Sequence, residues 1–252
     1  MCQLLGMNAN TPTDAMFSFA GLAARADEHK DGFGIAFFED RGVRLFVDPA
    51  GARASPVAEM VKRYPIRSGN VIAHIRKATQ GRVALENTHP FMRELWGRYW
   101  VFAHNGDLKG FRPRLHGAFR PVGDTDSEQA FCWLMQELAK SHAGVPGVGE
   151  LTRTLAELLP QAAAHGTFNV LLSNGQALWA HASTALSWLQ RRHPFGAATL
   201  ADEDVRVDFA ALTTPSDRVA VVATEALTRD EAWQPLRPGE LAVFVGGERV
   251  AS

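Results

Sequence analysis

A cysteine at position 2 can become a nucleophile that carries its own base. Removal of Met1 would leave Cys2 with a free α-amine. A thiol of ordinary pKa ~8.5 beside an α-amine of ~7.7–8.0 lets the amine take the thiol proton, through a water, without a separate histidine. Alone, Cys2 also reads as unselected N-terminal sequence, so the choice depends on what the rest of the chain supplies. An acyl-transfer nucleophile needs donors for an oxyanion, and Asn105-Gly106 offers a side-chain amide and a backbone N–H from adjacent residues. Taken by itself, the same His-Asn-Gly run is a hairpin turn. Arg76 can grip a carboxylate through two parallel hydrogen bonds, which lysine cannot do, and Thr79 could add a hydroxyl. Asp126, opening a helix, suits either an α-ammonium or a helix dipole. A cation, an anion and an oxyanion hole together describe a zwitterionic amino-acid head held at a fixed distance from an amide or thioester carbonyl.

Strands and helices must bring these residues together. Gln3 to Met7 reads as a short strand, Thr11-Pro12-Thr13-Asp14 as a turn, and Ala15 to Asp27 as a helix with Phe19, Leu22, Ala23 and Ala26 on one face. Ile35 to Phe38 and Val43 to Val47 form a hairpin around Asp40-Arg41-Gly42. Ser55-Pro56 caps and opens a helix that should stop before Pro65. Val71 to Ile75 is a strand running straight into Arg76, and Tyr99 to Ala103 a second strand running into His104-Asn105-Gly106. The spacing predicts helices from Asp126 to Lys140, with Cys132 packed as a small core residue, and from Glu150 to His165, kinked or ended near Pro160. Strands follow at Phe168 to Leu172, Ala177 to His181, Val219 to Ala223 and Leu241 to Val245. Ser183 to Asp217 is the least regular stretch. Runs such as Val219-Ala220-Val221-Val222-Ala223 call for cover on both faces. The grouping of helices and antiparallel strands suggests stacked layers with helices outside.

The 252 residues, 46% hydrophobic and 21% charged, are enough for one large core, so residues 2–252 are expected to form a single domain. Lys+Arg 26 against Asp+Glu 27 leaves no global field for nucleic acid or an acidic membrane. Two cysteines, Cys2 and Cys132, with no CxxC pair, argue against a disulfide framework and fit a reducing cytoplasm. No signal peptide or membrane-length apolar run is evident. A GxSxG elbow and a Walker A sequence are absent as well. His74, His89 and His104 all fall near the proposed site. A three-histidine metal centre lacks the expected HExxH or Cys/His spacing, so no metal or other cofactor is expected, and the rings are read as hydrogen-bonding buried strand ends and loops.

Cys2, Asp31-Gly32-Phe33-Gly34, His74-Ile75-Arg76-Lys77-Ala78-Thr79-Gln80-Gly81, Asn87-Thr88-His89-Pro90-Phe91, His104-Asn105-Gly106 and Asp124-Thr125-Asp126-Ser127-Glu128 occur in an order that resembles the class II glutamine amidotransferases. Ala223-Thr224-Glu225-Ala226-Leu227-Thr228 with Trp233 resembles the tail of their stand-alone subgroup. The resemblance implies an α+β N-terminal-nucleophile hydrolase fold, a four-layer αββα sandwich of two mainly antiparallel sheets. It also implies loss of Met1, with Cys2 as nucleophile and base and Asn105 and Gly106 as oxyanion hole. Arg76 and Thr79 would hold the substrate carboxylate, Asp126 the ammonium, and His89 and His104 would border the pocket. Glutamine, or a related γ-glutamyl amide, would be cleaved through a γ-glutamyl thioester. Synthase-bearing relatives often carry Trp where Lys77 stands and His where Gln80 stands, and no synthase domain is expected within these 252 residues. Either a separate ammonia-accepting synthase subunit takes the ammonia, or the reaction is plain hydrolysis. A rival reading is a catalytically idle glutamine-binding regulatory subunit.

Overall fold

The computed structural model describes residues 2–25, 30–77 and 81–251. From the N-terminus the elements are β1 (Gln3–Asp14), α1 (Met16–Ala24), β2 (Phe33–Glu39), β3 (Gly42–Asp48), α2 (Pro56–Arg63) and β4 (Arg67–Ile75). The middle of the chain adds β5 (Phe91–Leu95), β6 (Arg98–Leu108), α3 (Asp126–Ser141), α4 (Val148–Ala163), β7 (Gly166–Ser173) and β8 (Leu178–Ala182). Then come β9 (Ser187–Arg192), β10 (Ala197–Thr199), β11 (Arg206–Asp208), β12 (Arg218–Ala223), β13 (Gln234–Pro235), β14 (Glu240–Val245) and β15 (Glu248–Val250).

Two large sheets form, in the orders β13-β9-β12-β1-β4-β2-β3 and β15-β14-β8-β7-β6-β5, and β10 and β11 make a small ribbon apart. Neighbouring strands pair antiparallel. Alternation along each strand divides the apolar residues into three layers. Val219, Val221 and Ala223 pack outward with Phe19 and Leu22 of α1 and Ala58 and Val61 of α2. Ala220 and Val222 face the second sheet, meeting Leu4, Ile72, Val101, Ala103 and Leu171. On the far side, Trp100, Phe102 and Val170 lie under Phe131 and Leu134 of α3 and Leu155 of α4. The result is the four-layer αββα arrangement of two mainly antiparallel sheets.

Local signals hold where side chains cap. Ser55 Oγ accepts from the N–H groups of Val57 and Ala58 at 3.1 and 3.2 Å, starting α2. Thr125 Oγ1 accepts from Glu128 N at 3.2 Å, starting α3. Cys132 is fully buried in α3.

Several boundaries differ from the sequence expectations. β1 runs through Thr11-Pro12-Thr13-Asp14, because Thr13 and Asp14 pair with Ser68 and Arg67 of β4 after a register shift that absorbs the turn-forming residues. α1 closes at Ala24, and Ala26 and Asp27 lie outside the described residues. α4 continues through Pro160 to Ala163, where the missing N–H falls in the last turn and Ala164 N still donates to Pro160 O at 3.0 Å. The stretch expected to be irregular contains β9, which pairs with β12 along six residues, besides the β10–β11 ribbon.

Candidate active site

Strand parity decides which of the chemistry-bearing residues can meet. In β6, Val101 and Ala103 face the first sheet, so Asn105 does too, while His104 points out beneath α3 with Phe102. In β1, Leu4 faces the second sheet; in β12, Ala220 and Val222 do, and Thr224 follows them. Cys2, Thr224 and Asn105 therefore converge in the gap between the sheets, at the end where β1 begins.

Hydrogen bonds close that gap. Asn105 Nδ2 donates to Cys2 O at 2.6 Å and, more weakly, to Thr224 Oγ1 at 3.4 Å. Thr224 Oγ1 also accepts from Leu4 N at 2.9 Å, and Thr224 N donates to Leu4 O at 3.2 Å, pinning β1 to the end of β12. Asn105 O accepts from Asn169 Nδ2 at 3.3 Å. Asn169 is fully buried, and its Oδ1 gathers the N–H groups of Ser183, Thr184 and Ala185. The oxyanion candidate is thus braced from both sides.

The Asn105-Gly106 pair lies inside β6, not at the end of a strand or in a turn. β6 stays paired with β7 as far as Leu108↔Gly166, with Gly106 opposite Phe168. Glycine is required by close approach: a Cβ there would lie 1.8 Å from Thr167 O and 2.5 Å from His104 Nε2.

Around the sulfur, Cys2 Sγ donates to Lys77 O at 3.3 Å, and Lys77 N lies 3.3 Å from Sγ. Burial pushes the Cys2 thiol up from its ordinary value, while the Lys77 backbone and the nearby Arg76 guanidinium act in the opposite direction. Arg76 is buried just beyond β4, its backbone N donating to Gly32 O at 2.8 Å. Its Nη1 and Nη2 donate to the carbonyls of Arg82 and Gly81 at 3.0 and 3.3 Å. Thr79, expected beside it, lies outside the described residues, as does Gln80.

Asp126 occupies the first turn of α3. Its Oδ2 accepts from Leu108 N at 2.7 Å and its Oδ1 from Ser127 N at 2.8 Å, so its bonds run to the end of β6 rather than to Cys2 or Arg76. His104 links the same elements. Its Nε2 donates to Thr167 O at 3.0 Å, a carbonyl that can only accept, and Nδ1 meets Ser127 Oγ at 2.8 Å. Burial lowers the His104 pKa, against the pull of Asp126 and the Thr167 carbonyl.

His89 departs from expectation: its buried ring nitrogens have no hydrogen-bond partner among the described residues. The ring packs at a tilt against His74 and Phe91, each with centroids 4.4 Å apart, which leaves ring contacts where hydrogen bonds were expected. Burial, then the neighbouring His74, holds its pKa well below the ordinary imidazole value.

Sequence reasoning overlooked two groups. Thr224 belongs to a tail motif whose hydroxyl gives no hint of reaching Asn105. Asn87 ties the loop carrying Gly81 and Arg82 to the entry of α3, donating to Arg82 O at 3.0 Å and accepting from Asp124 N at 3.0 Å. Its place in Asn-Thr-His-Pro-Phe was the available signal. Among the described residues no group of three or more His, Cys, Asp or Glu is placed to hold a metal ion.

The model of the family described as glutamine amidotransferases class-II matches residues 1–252. A protein of Escherichia coli (strain K12) named "Putative glutamine amidotransferase YafJ" is 52% identical over 254 residues, covering 99% of this chain and 100% of that protein. A crystal structure of a predicted glutamine amidotransferase from Pseudomonas aeruginosa shares 43% identity and superposes with a TM-score of 0.81 over 100% of both chains. The glutamine phosphoribosylpyrophosphate amidotransferase of B. subtilis shares the fold at 14% identity and a TM-score of 0.58, over 99% of this chain and 48% of its own. With a family model spanning its full length, and with sheets that superpose on those of such enzymes, the chain belongs to the class II glutamine amidotransferases.

Proposed function

We propose that the chain hydrolyses the side-chain amide of glutamine, or of a related γ-glutamyl compound, through a thioester on Cys2. The observation that carries this reading is the 2.6 Å bond from Asn105 Nδ2 to Cys2 O, which joins the two sheets at the residue bearing the thiol. In the proposed reaction Cys2 is the first residue of the mature chain, Met1 having been removed. Its thiol proton passes to its α-amine and the sulfur attacks the amide carbon. The carbonyl π electrons move to oxygen, where Asn105 Nδ2 and the Gly106 N–H stabilise the charge. As the carbonyl re-forms, the C–N bond breaks and the nitrogen takes the proton from the α-ammonium, leaving as ammonia. Water then cleaves the thioester, yielding glutamate and the free thiol.

Arg76 receives the substrate carboxylate, with Thr79 assisting. A carboxylate is a stronger acceptor than the neutral carbonyls that the guanidinium now meets, so it competes well for the same fork. Asp126 attracts the ammonium end and His89 borders the pocket; His104, expected to border it too, lies on the opposite face of β6, where it holds the entry of α3 through Ser127. Residues 2–252 act as one domain in the reducing cytoplasm, where Cys2 and Cys132 stay thiols. The ammonia or amine goes to water or to a separate acceptor enzyme. No described helix is long and apolar enough to cross a membrane.

The test is ammonia release from glutamine and from a panel of γ-glutamyl amides, with Cys2→Ala as control. Turnover abolished by Cys2→Ala supports the reading. Stoichiometric glutamine binding without turnover, in a sample whose first residue is Cys2, would instead establish the idle binding subunit.

A further inference from the structure

A cavity of about 640 Å³ lies on the outer side of the second sheet, between α4 and the hairpin of β14 and β15. Its wall includes Thr152, Arg153 and Leu159 from α4, His181 from β8, and Arg237 and Glu240 near the start of β14. None of the catalytic candidates belongs to it. The volume falls within the range of small-molecule sites and is far larger than a lone oxyanion fills.

Two features of the wall point to a ligand. The first is charge: Glu240 receives Arg237 Nε at 3.5 Å and is also paired with Arg249, which lines the cavity as well. Arg153 has no ion-pair partner among the described residues, so three guanidinium groups stand against one carboxylate. The second is a buried acceptor. His181 is only 2% exposed, and its Nδ1 lies 2.8 Å from Phe168 O. A carbonyl only accepts, so Nδ1 carries the hydrogen. Burial lowers the His181 pKa and so favours the neutral ring, in which Nε2 is the acceptor that this cavity-lining residue has to offer. A matching ligand carries an oxyanion for the arginines and a hydroxyl for the imidazole. Apolar Ala156, Leu159 and Leu241 can face C–H groups, and the lining includes no Phe, Tyr or Trp ring for a nucleobase.

We propose that this cavity is a second binding site, separate from the thiol, for a small hydroxylated organic phosphate of sugar-phosphate type. His181 lies next to the strand pair that carries Gly106, since the carbonyl it holds belongs to Phe168, the register partner of Gly106.

The probe is ribose 5-phosphate, titrated calorimetrically into the full chain in phosphate-free buffer while the His181 ring nitrogens are followed by NMR. One molecule should bind per chain and shift the His181 Nε2 resonance. Arg153→Ala combined with Arg237→Ala, both at exposed positions, should weaken binding at least tenfold, and Cys2→Ala should leave it unchanged. No binding at about 10 mM, an affinity weaker than ~3 kcal/mol, would overturn the proposal. So would undiminished binding by the double arginine variant, loss of binding in Cys2→Ala, or an unmoved Nε2 signal. Inorganic phosphate binding as tightly as ribose 5-phosphate would also overturn it, because the site would then recognise a free oxyanion only.

Discussion

The Asn105 carboxamide has two N–H hydrogens and two acceptors, Cys2 O at 2.6 Å and Thr224 Oγ1 at 3.4 Å. The longer bond is the weaker, so an oxyanion can displace Thr224 while the bond to Cys2 O keeps the amide aligned. Asn105→Ala should lower kcat for glutamine by ~10²–10³ with KM changed only a few-fold, because this donor matters most once charge develops on oxygen. Thr224 acts through its neighbours, holding Leu4 N and steering Asn105. Thr224→Val should lower kcat about tenfold, a cost of ~1.4 kcal/mol, with KM nearly constant. Thr224→Ser should restore most of the rate, and steady-state kinetics of the pair separates a lost hydroxyl from altered packing. Arg76 and Asn105 could be singled out from residue type and order alone. Thr224 could not, since its role arises only when β12 lies beside β1, a pairing separated by most of the chain.

Among the elements, β6 carries the greatest functional constraint, being apolar at Val101 and Ala103 and polar at Asn105 on the same face. The change to polar residues suggests a strand end, yet the ladder to β7 continues and keeps the polar segment extended. The start of α2 was legible in its Ser55 cap and that of α3 in its apolar spacing, whereas the Thr125 cap of α3 shows only in the structure. Thr11 to Asp14 was misleading because pairing with β4 overrides local turn preference. Three buried histidines, His89, His104 and His181, lie on or beside this second sheet with pKa values lowered by burial. In the unfolded chain such rings take up protons as the pH falls through about 6.5, while the folded rings do so only at lower pH. The unfolded state then binds more protons, so stability is full above that value and falls as the pH drops below it. Urea midpoints measured between pH 7 and pH 5 should decline. His89→Phe, which keeps an aromatic ring against His74 and Phe91, should flatten the decline.

At the scale of the whole molecule, the site exists only because two sheets approach closely at one end. Gly6 of β1 sets the spacing: a Cβ there would lie 2.9 Å from Leu178 Cδ2 and 3.2 Å from Leu171 Cδ1 on the opposite sheet. Gly6→Val should push the sheets apart, costing ~1–3 kcal/mol of stability as core overpacking does. Cys2 would move away from Asn105, and a shift of about 1 Å can lower turnover by ~10². Activity should therefore fall much further than the melting temperature, as parallel kinetics and thermal unfolding would show. The layered architecture was legible from strands such as Val219 to Ala223, which need cover on both faces. The spacing between layers was not, because it depends on which side chains oppose each other across the gap.

The central claim is that Cys2, as the terminal residue, forms the bond to the glutamyl group. Acid-quenching the protein during turnover of glutamine, followed by peptide mass spectrometry, tests this directly. We predict a peptide that begins at Cys2, lacks Met1 and carries a γ-glutamyl group, and no such adduct in Cys2→Ala. Full ammonia release by protein that retains Met1, or an adduct on Cys132 in place of Cys2, would contradict the account.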